Sequence, residues 1–206
     1  MGVTFVILLV AGIPLRKLGL MLGVLAMAGA VAVPLISKLD KRFSEWMDGL
    51  LHGAYAHQVH QSLIGLGAGG WQGLGVGQSH NKFAFLPESH TDFVFSVLGE
   101  EWGLAGTLAV LAAIVLIAWR GFGIALRSPE PFGRAVAAGL TAGLAIYGVV
   151  NIGMVTGIFP VVGVPLPFVS FGGTAMVGAM ASVGILMNIE RSSRSFHLWR
   201  RRWDRT

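Results

Sequence analysis

The chain is 206 residues long, with 54% hydrophobic and 12% charged residues, against about 25% charged in a soluble domain, and its mean hydropathy is +0.70. That balance excludes a soluble enzyme and describes a multi-pass membrane protein. The lack of cysteine excludes a disulfide framework and a thiolate metal site. The net charge of +5 is not a nucleic-acid footprint, because the basic residues sit at the ends of apolar runs.

The apolar runs fall at 2–14, 18–36, 102–119, 135–159 and 171–189. A helix needs about 20 residues to cross the hydrocarbon core. The last four runs meet or nearly meet that length. The first begins at Met1 and reads as the second half of a cut span; it has neither the basic start nor the small-residue cleavage site of a signal peptide. The expected fold is all-α, a polytopic bundle of four full spans plus one truncated span, forming a single membrane domain over 1–206. Gly19/Gly23, Gly139/Gly143 and Gly153/Gly157 are GxxxG pairs expected to let helix backbones approach closely.

Arg16, Lys17, Arg120, Arg127, Arg134, Arg191, Arg194, Arg200, Arg201, Arg202 and Arg205 all fall on one side if the runs alternate. The positive-inside rule makes that side cytoplasmic. The tail 190–206 is then cytoplasmic, and 37–96 is a large extracytoplasmic loop. That loop holds five of the ten acids and five of the six histidines. A connector of this length implies a task. A second outer loop, 160–170, carries three of the eight prolines.

Within the large loop, Gly65-Leu-Gly67-Ala-Gly69-Gly70 matches GxGxxG, but it lacks the strand and helix a dinucleotide site needs. It reads as turn-rich backbone near a membrane surface or a ligand headgroup. Asp92 stands where polar loop meets apolar run. Ser89-x-x-Asp92 suits a helix cap and the helix dipole; a carboxylate at the mouth of a span also suits chemistry. Glu88, His90 and Asp92, with His80, offer oxygen and imidazole ligands, yet no metal-site spacing appears. His52, His57 and His60 read as polar loop residues. Glu100 and Glu101 lie near the outer end of the third span. Asn151 reads as an interhelical hydrogen-bonding residue. Pro165 and Pro167 forbid a regular helix in the second loop. Ser170, Gly172, Gly173 and Thr174 then open the last span, either as a capped turn or as a helix start presenting amides to an anion.

Four stretches carry a family resemblance: Gln58-x-x-Gln61-Ser62-Leu63-Ile64 with its glycine run to Gly70; Gly73-x-Gly75 through Ser79 and Lys82; Leu86-Pro-Glu-x-His-Thr-Asp-Phe-x-Phe with Gly-Glu-Glu-x-Gly; and Asn151-Ile-Gly-Met through Pro160, Pro165-Leu-Pro-Phe and Ser170-Phe-Gly-Gly. In these the chain resembles the C-terminal half of the SEDS family, the group of FtsW, RodA and SpoVE. Gln78-Ser79 with Lys82, and Gly99-Glu100-Glu101, look more like FtsW or SpoVE; Ser96-Val97-Leu98 leans toward RodA. Ala56-His57 stands where the family commonly has Gly-Tyr, and Glu45-Trp46-Met47-Asp48 where it has an Asn/Asp-Pro-Trp stretch.

The resemblance implies a ten-span bundle in the bacterial cytoplasmic membrane that polymerises lipid II into glycan strands on the outer face. It implies a class B penicillin-binding protein as partner, with other division or elongation membrane proteins, and Asp92 as the catalytic carboxylate. A general base there would accept a proton from the acceptor sugar hydroxyl, aided by desolvation at the membrane edge. Lys82, Glu88, His90, Thr91, Gln61, Ser170, Gly172, Gly173 and Thr174 are the candidate substrate-binding residues, and Glu100 and Glu101 are further candidates. Lys82 is the basic residue nearest the motif in sequence and would face the leaving pyrophosphate, with Mg2+ or Mn2+ carried by that substrate and no resident metal. A lipid II flippase and a non-catalytic scaffold for a penicillin-binding protein are the alternatives.

Overall fold

The computed structural model describes residues 2–10, 12–35, 37–79 and 91–203, without the side chains of 15, 31–40 and 195–203. Among them are seven helices: α1 (Gly2–Val10), α2 (Leu15–Leu35), α3 (Ser37–His52), α4 (His57–Gly69), α5 (Val94–Arg127), α6 (Pro131–Val155) and α7 (Gly173–Trp203). The all-helical expectation holds for these residues. Among the described residues three helices are long and apolar enough to cross a membrane: α5, α6 and the Gly173–Arg194 part of α7. The run at 18–36 coincides with α2, though residue 36 lies outside the described residues. The expected tail is helical through Trp203.

Helix α6 is central, packed against α5 on one side and α1 on the other. Gly139 makes the α1 contact close, since a Cβ there would meet Ile7 at 2.8 Å; Gly143 faces Val3. Among the described residues, neither of the other two GxxxG pairs sets one helix backbone against another, although a Cβ on Gly157 would meet Val59 of α4 at 3.3 Å. Gly19 and Gly23 face open space, Gly153 lies under Phe159, and Gly157 abuts Tyr55. One apolar cluster (Phe93, Phe95, Met154, Val155, Leu166) sits at the Asp92 end of the bundle. Another (Ala125, Ala137, Ala138, Leu186) sits at the opposite end. The α5–α6 link passes through Ser128 and Pro129 to Pro131 in the first turn of α6, where a missing N–H and a preset φ cost the helix nothing. Arg134 donates to the Ser128 carbonyl at 3.1 Å. Arg127 and Arg134 therefore stand at the end opposite Asp92.

The segment 37–96 is not simply a polar loop. Helix α3 sets Phe43, Trp46, Met47, Leu50 and Leu51 among charged residues at the spacing of one helical face. Trp46 Nε1 donates to the Gly157 and Ile158 carbonyls, both at 3.2 Å, which docks α3 on the loop after α6. Gly65 and Gly69, expected in a turn, lie inside α4 and are buried. A methyl on Gly69 would overlap the Gly99 carbonyl, and one on Gly99 would overlap Leu66, so glycine here permits helix contact. Turn-rich backbone begins only at Gly70.

That turn wedges into α5. Gly103 has φ 63° and ψ −158° within the helix, so the hydrogen-bond ladder is broken there. Leu74 N donates to the Glu100 carbonyl at 2.9 Å, Gly75 N to the Glu101 carbonyl at 3.1 Å, and Leu104 N to the Gly70 carbonyl at 2.8 Å. A kink made by an inserted strand of backbone has a definite cause, and it is tolerated because each of these groups finds a partner within protein.

Candidate functional site

Asp92 is half-buried and lies just before α5, whose N-terminal cap position is Phe93, without a side-chain cap bond. Asp92 stands in the turn before the helix; Ser89, the other half of the expected capping pattern, lies outside the described residues. Phe93 is driven into the apolar cluster instead, which leaves Asp92 outside the helix and at its mouth. Asn151 Nδ2 donates to the Asp92 carbonyl at 2.8 Å and to the Val164 carbonyl at 2.6 Å. Ser170 Oγ donates to the Thr91 carbonyl at 2.5 Å and accepts from Leu166 N at 2.7 Å. Gly163 closes the other side: a Cβ on it would lie 3.1 Å from Asp92 Oδ2.

Beneath this carboxylate, serines join the helices. Ser96 Oγ donates to the Ser62 carbonyl at 2.9 Å, and Ser62 Oγ to the Val155 carbonyl at 2.8 Å, linking α5, α4 and α6. Ser79 Oγ donates to Glu100 Oε2 at 2.6 Å, and both residues are buried. A buried carboxylate needs such a partner, so this pair anchors the glycine turn on α5.

The predicted site residues divide accordingly. Asp92, Thr91 and Ser170 come together. Ser170 is 4% exposed, and its hydroxyl is engaged with protein backbone as both donor and acceptor. Gly172, Gly173 and Thr174 form the start of α7, and Thr174 lines an apolar groove between α6 and α7 with Pro165 and Pro167. Gln61 is half-buried on α4, and Glu101 is half-buried on α5 beside the kink. Lys82, Glu88 and His90, with His80, lie outside the described residues. Among the described residues no three His, Asp or Glu side chains gather to hold a metal. The tie from Asn151 to Asp92 is the contact the sequence did not reveal; its signal is a lone amide in an apolar span one turn from the span's end.

Comparison with known proteins gives the family. Stage V sporulation protein E of Bacillus subtilis is 39% identical over 198 residues, covering 94% of this chain and 53% of that protein. Peptidoglycan glycosyltransferase MrdB of Escherichia coli is 51% identical over 134 residues, covering 65% of this chain and 36% of that protein. The chain thus spans between about a third and about half the length of these relatives. Among solved structures, a chain of a peptidoglycan synthase complex that coordinates polymerization and crosslinking superposes with a TM-score of 0.70 at 28% identity, over 93% of this chain and 54% of that one. A mutant of the rod shape determining protein RodA of Thermus thermophilus superposes with a TM-score of 0.58, also at 28% identity, over 93% of this chain and 48% of that one. The profile of the FtsW/RodA/SpoVE cell cycle proteins matches residues 1–195, and the chain belongs to this family, the SEDS proteins.

Proposed function

We propose that this chain supplies the carboxylate-bearing face of a peptidoglycan glycosyltransferase that polymerises lipid II, with Asp92 as general base. The observation that carries the reading is the seat of Asp92: a half-buried carboxylate at the mouth of an apolar span, with its flanking backbone bonded to α6 and to the loop after it. The naming of MrdB as a peptidoglycan glycosyltransferase supports the reaction class. In this reading the acceptor sugar hydroxyl gives its proton to Asp92 as its oxygen attacks the anomeric carbon, and the lipid pyrophosphate departs with the bonding pair. Mg2+ or Mn2+ accompanies the pyrophosphate rather than a protein cage. Lys82 is the candidate cation for the leaving group, and a class B penicillin-binding protein takes up the strand. The synthase complex among the structural neighbours supports that partnership.

Proteoliposomes holding the protein in its full-length context and labelled lipid II are expected to yield glycan polymer. Translocation of lipid II without polymer would favour a flippase. Partner binding with neither activity would favour a scaffold. The flippase reading needs polar groups along the whole path; of the nine buried polar side chains among the described residues, Ser62, Ser79, Ser96, Glu100, Asn151 and Ser170 gather at the Asp92 end, while Thr141 lies in mid-span and Ser128 and Ser193 at the other end.

The orientation has its own test. The chain has no cysteine, so an introduced thiol has no background. Gln72→Cys, on the exposed glycine turn, is expected to react with an impermeant maleimide in intact cells. Arg127→Cys, at the opposite end of α5, is expected to react only after permeabilisation. The reverse pattern would place Asp92 in the cytoplasm and remove the glycosyltransferase reading.

A further inference from the structure

Two peptide planes meet at any residue, and fixing both fixes its φ and ψ. At Asp92 both planes are held from outside the segment. The Thr91 carbonyl, on the plane before it, is bonded by Ser170 Oγ. The Asp92 carbonyl, on the plane after it, is bonded by Asn151 Nδ2. The direction of the Asp92 Cα–Cβ bond is then set by two side chains from elsewhere in the fold, and only the side-chain torsions remain. Asn151 also fixes what the carboxylate faces. Its second N–H bonds the Val164 carbonyl, next to the Gly163 that walls one carboxylate oxygen.

The chemistry of these residues suits the task. A carboxamide has two N–H donors on one nitrogen, and both are spent on carbonyls of two separate segments. An Asp at 151 would set oxygen against oxygen, and a Leu would take the donor from two part-buried carbonyls. Asn151 is fully buried and Ser170 nearly so, so water does not readily replace either bond. The Ser170 hydroxyl is itself oriented by Leu166 N, and Leu166 is part of the apolar cluster that holds Phe93.

We propose that Asn151 and Ser170 are positioning residues that aim the Asp92 carboxylate at the acceptor hydroxyl, and so set the turnover rate without touching substrate. This rests on Asp92 being the base. Loss of aim by about an ångström lowers rate by about a hundredfold.

The test is steady-state polymerisation of lipid II by the full-length protein in proteoliposomes, with thermal melts of each variant. Ser170→Ala and Asn151→Leu are expected to lower kcat by about tenfold to a hundredfold, with KM within about twofold of wild type. Ser170→Thr, which keeps the hydroxyl, is expected to recover kcat to within about threefold. Thr141→Val is the control: its buried hydroxyl bonds only the Ala137 carbonyl of its own helix, so it is expected to lower the melting temperature and leave kcat per folded molecule unchanged. Wild-type kcat in Ser170→Ala and Asn151→Leu beside an inactive Asp92→Asn would overturn the positioning role alone. A kcat loss in Thr141→Val equal to theirs would reduce the effect to general destabilisation and overturn it too. Polymerisation by Asp92→Asn would overturn both this role and the base itself.

Discussion

Asp92→Asn in the full-length context is expected to slow lipid II polymerisation by about a hundredfold to ten-thousandfold, the usual worth of a general base, without loss of folded protein. The second half of that expectation follows from the way the residue is held. Its external bonds run through the Thr91 and Asp92 carbonyls, which the substitution keeps. Asparagine has the shape of aspartate, so the space beside Gly163 is filled as before. What disappears is the ability to take a proton. Asp92→Glu keeps the carboxylate but lengthens the side chain by one methylene beside Gly163, where a Cβ would lie 3.1 Å from Asp92 Oδ2. It should retain a small part of the rate, between Asn and wild type. Gel separation of labelled strands, normalised to protein in the membrane, measures both. If Asp92→Asn polymerises at the wild-type rate, the proton goes elsewhere and Asp92 leaves the mechanism.

Hydropathy located α5, α6 and α7 because a lipid-facing helix must be apolar along its length. The apolar run at 102–119 marks only the middle of α5, which spans Val94–Arg127. The first two turns of α5 bury Phe95, Ser96, Val97, Gly99 and Glu100 against protein, so no lipid demands an apolar run there. Glu100, expected near the outer end of that span, is bonded to Ser79 beneath the glycine turn.

Helix α4 was hidden by its glycines. Each costs a helix interior about 1 kcal/mol relative to Ala, and the close contact of Gly69 with Gly99 outweighs that local preference. Helix α3 was legible in principle, through the spacing of Phe43, Trp46, Met47 and Leu50, but its polar surroundings gave it the look of a loop. At the site, the motif singled out Asp92 as the candidate. The role of Ser170 was not, because a serine beside a Pro-rich turn reads equally as a cap, an anion contact or, as its bonds show, a tether for a distant carbonyl.

Gly103→Ala is expected to be the most destabilising conservative change in α5. Its φ of 63° and ψ of −158° lie in a region open almost only to glycine, and forcing another residue there costs about 1–3 kcal/mol. A Cβ at 103 would also lie 2.5 Å from Gly73 N and 2.8 Å from the Trp71 carbonyl, both backbone atoms that cannot step aside. Relief by straightening α5 would return Leu104 N and the Glu100 and Glu101 carbonyls to the helix ladder. It would part Leu74 N, Gly75 N and the Gly70 carbonyl from these partners and undock the turn that carries them. Either route ejects the turn and with it the Ser79–Glu100 bond. Gly73→Ala should behave alike, since its methyl would overlap the Glu101 carbonyl. Gly123→Ala, in the same helix, meets only the end of Arg127 at 3.8 Å and should be neutral or stabilise by about 0.5–1 kcal/mol. Detergent-solubilised melts of the three variants give the comparison. Equal melting temperatures for Gly103→Ala and Gly123→Ala would mean that the glycine turn does not dock into the kink, and that the support beneath Asp92 comes from the serine ties alone.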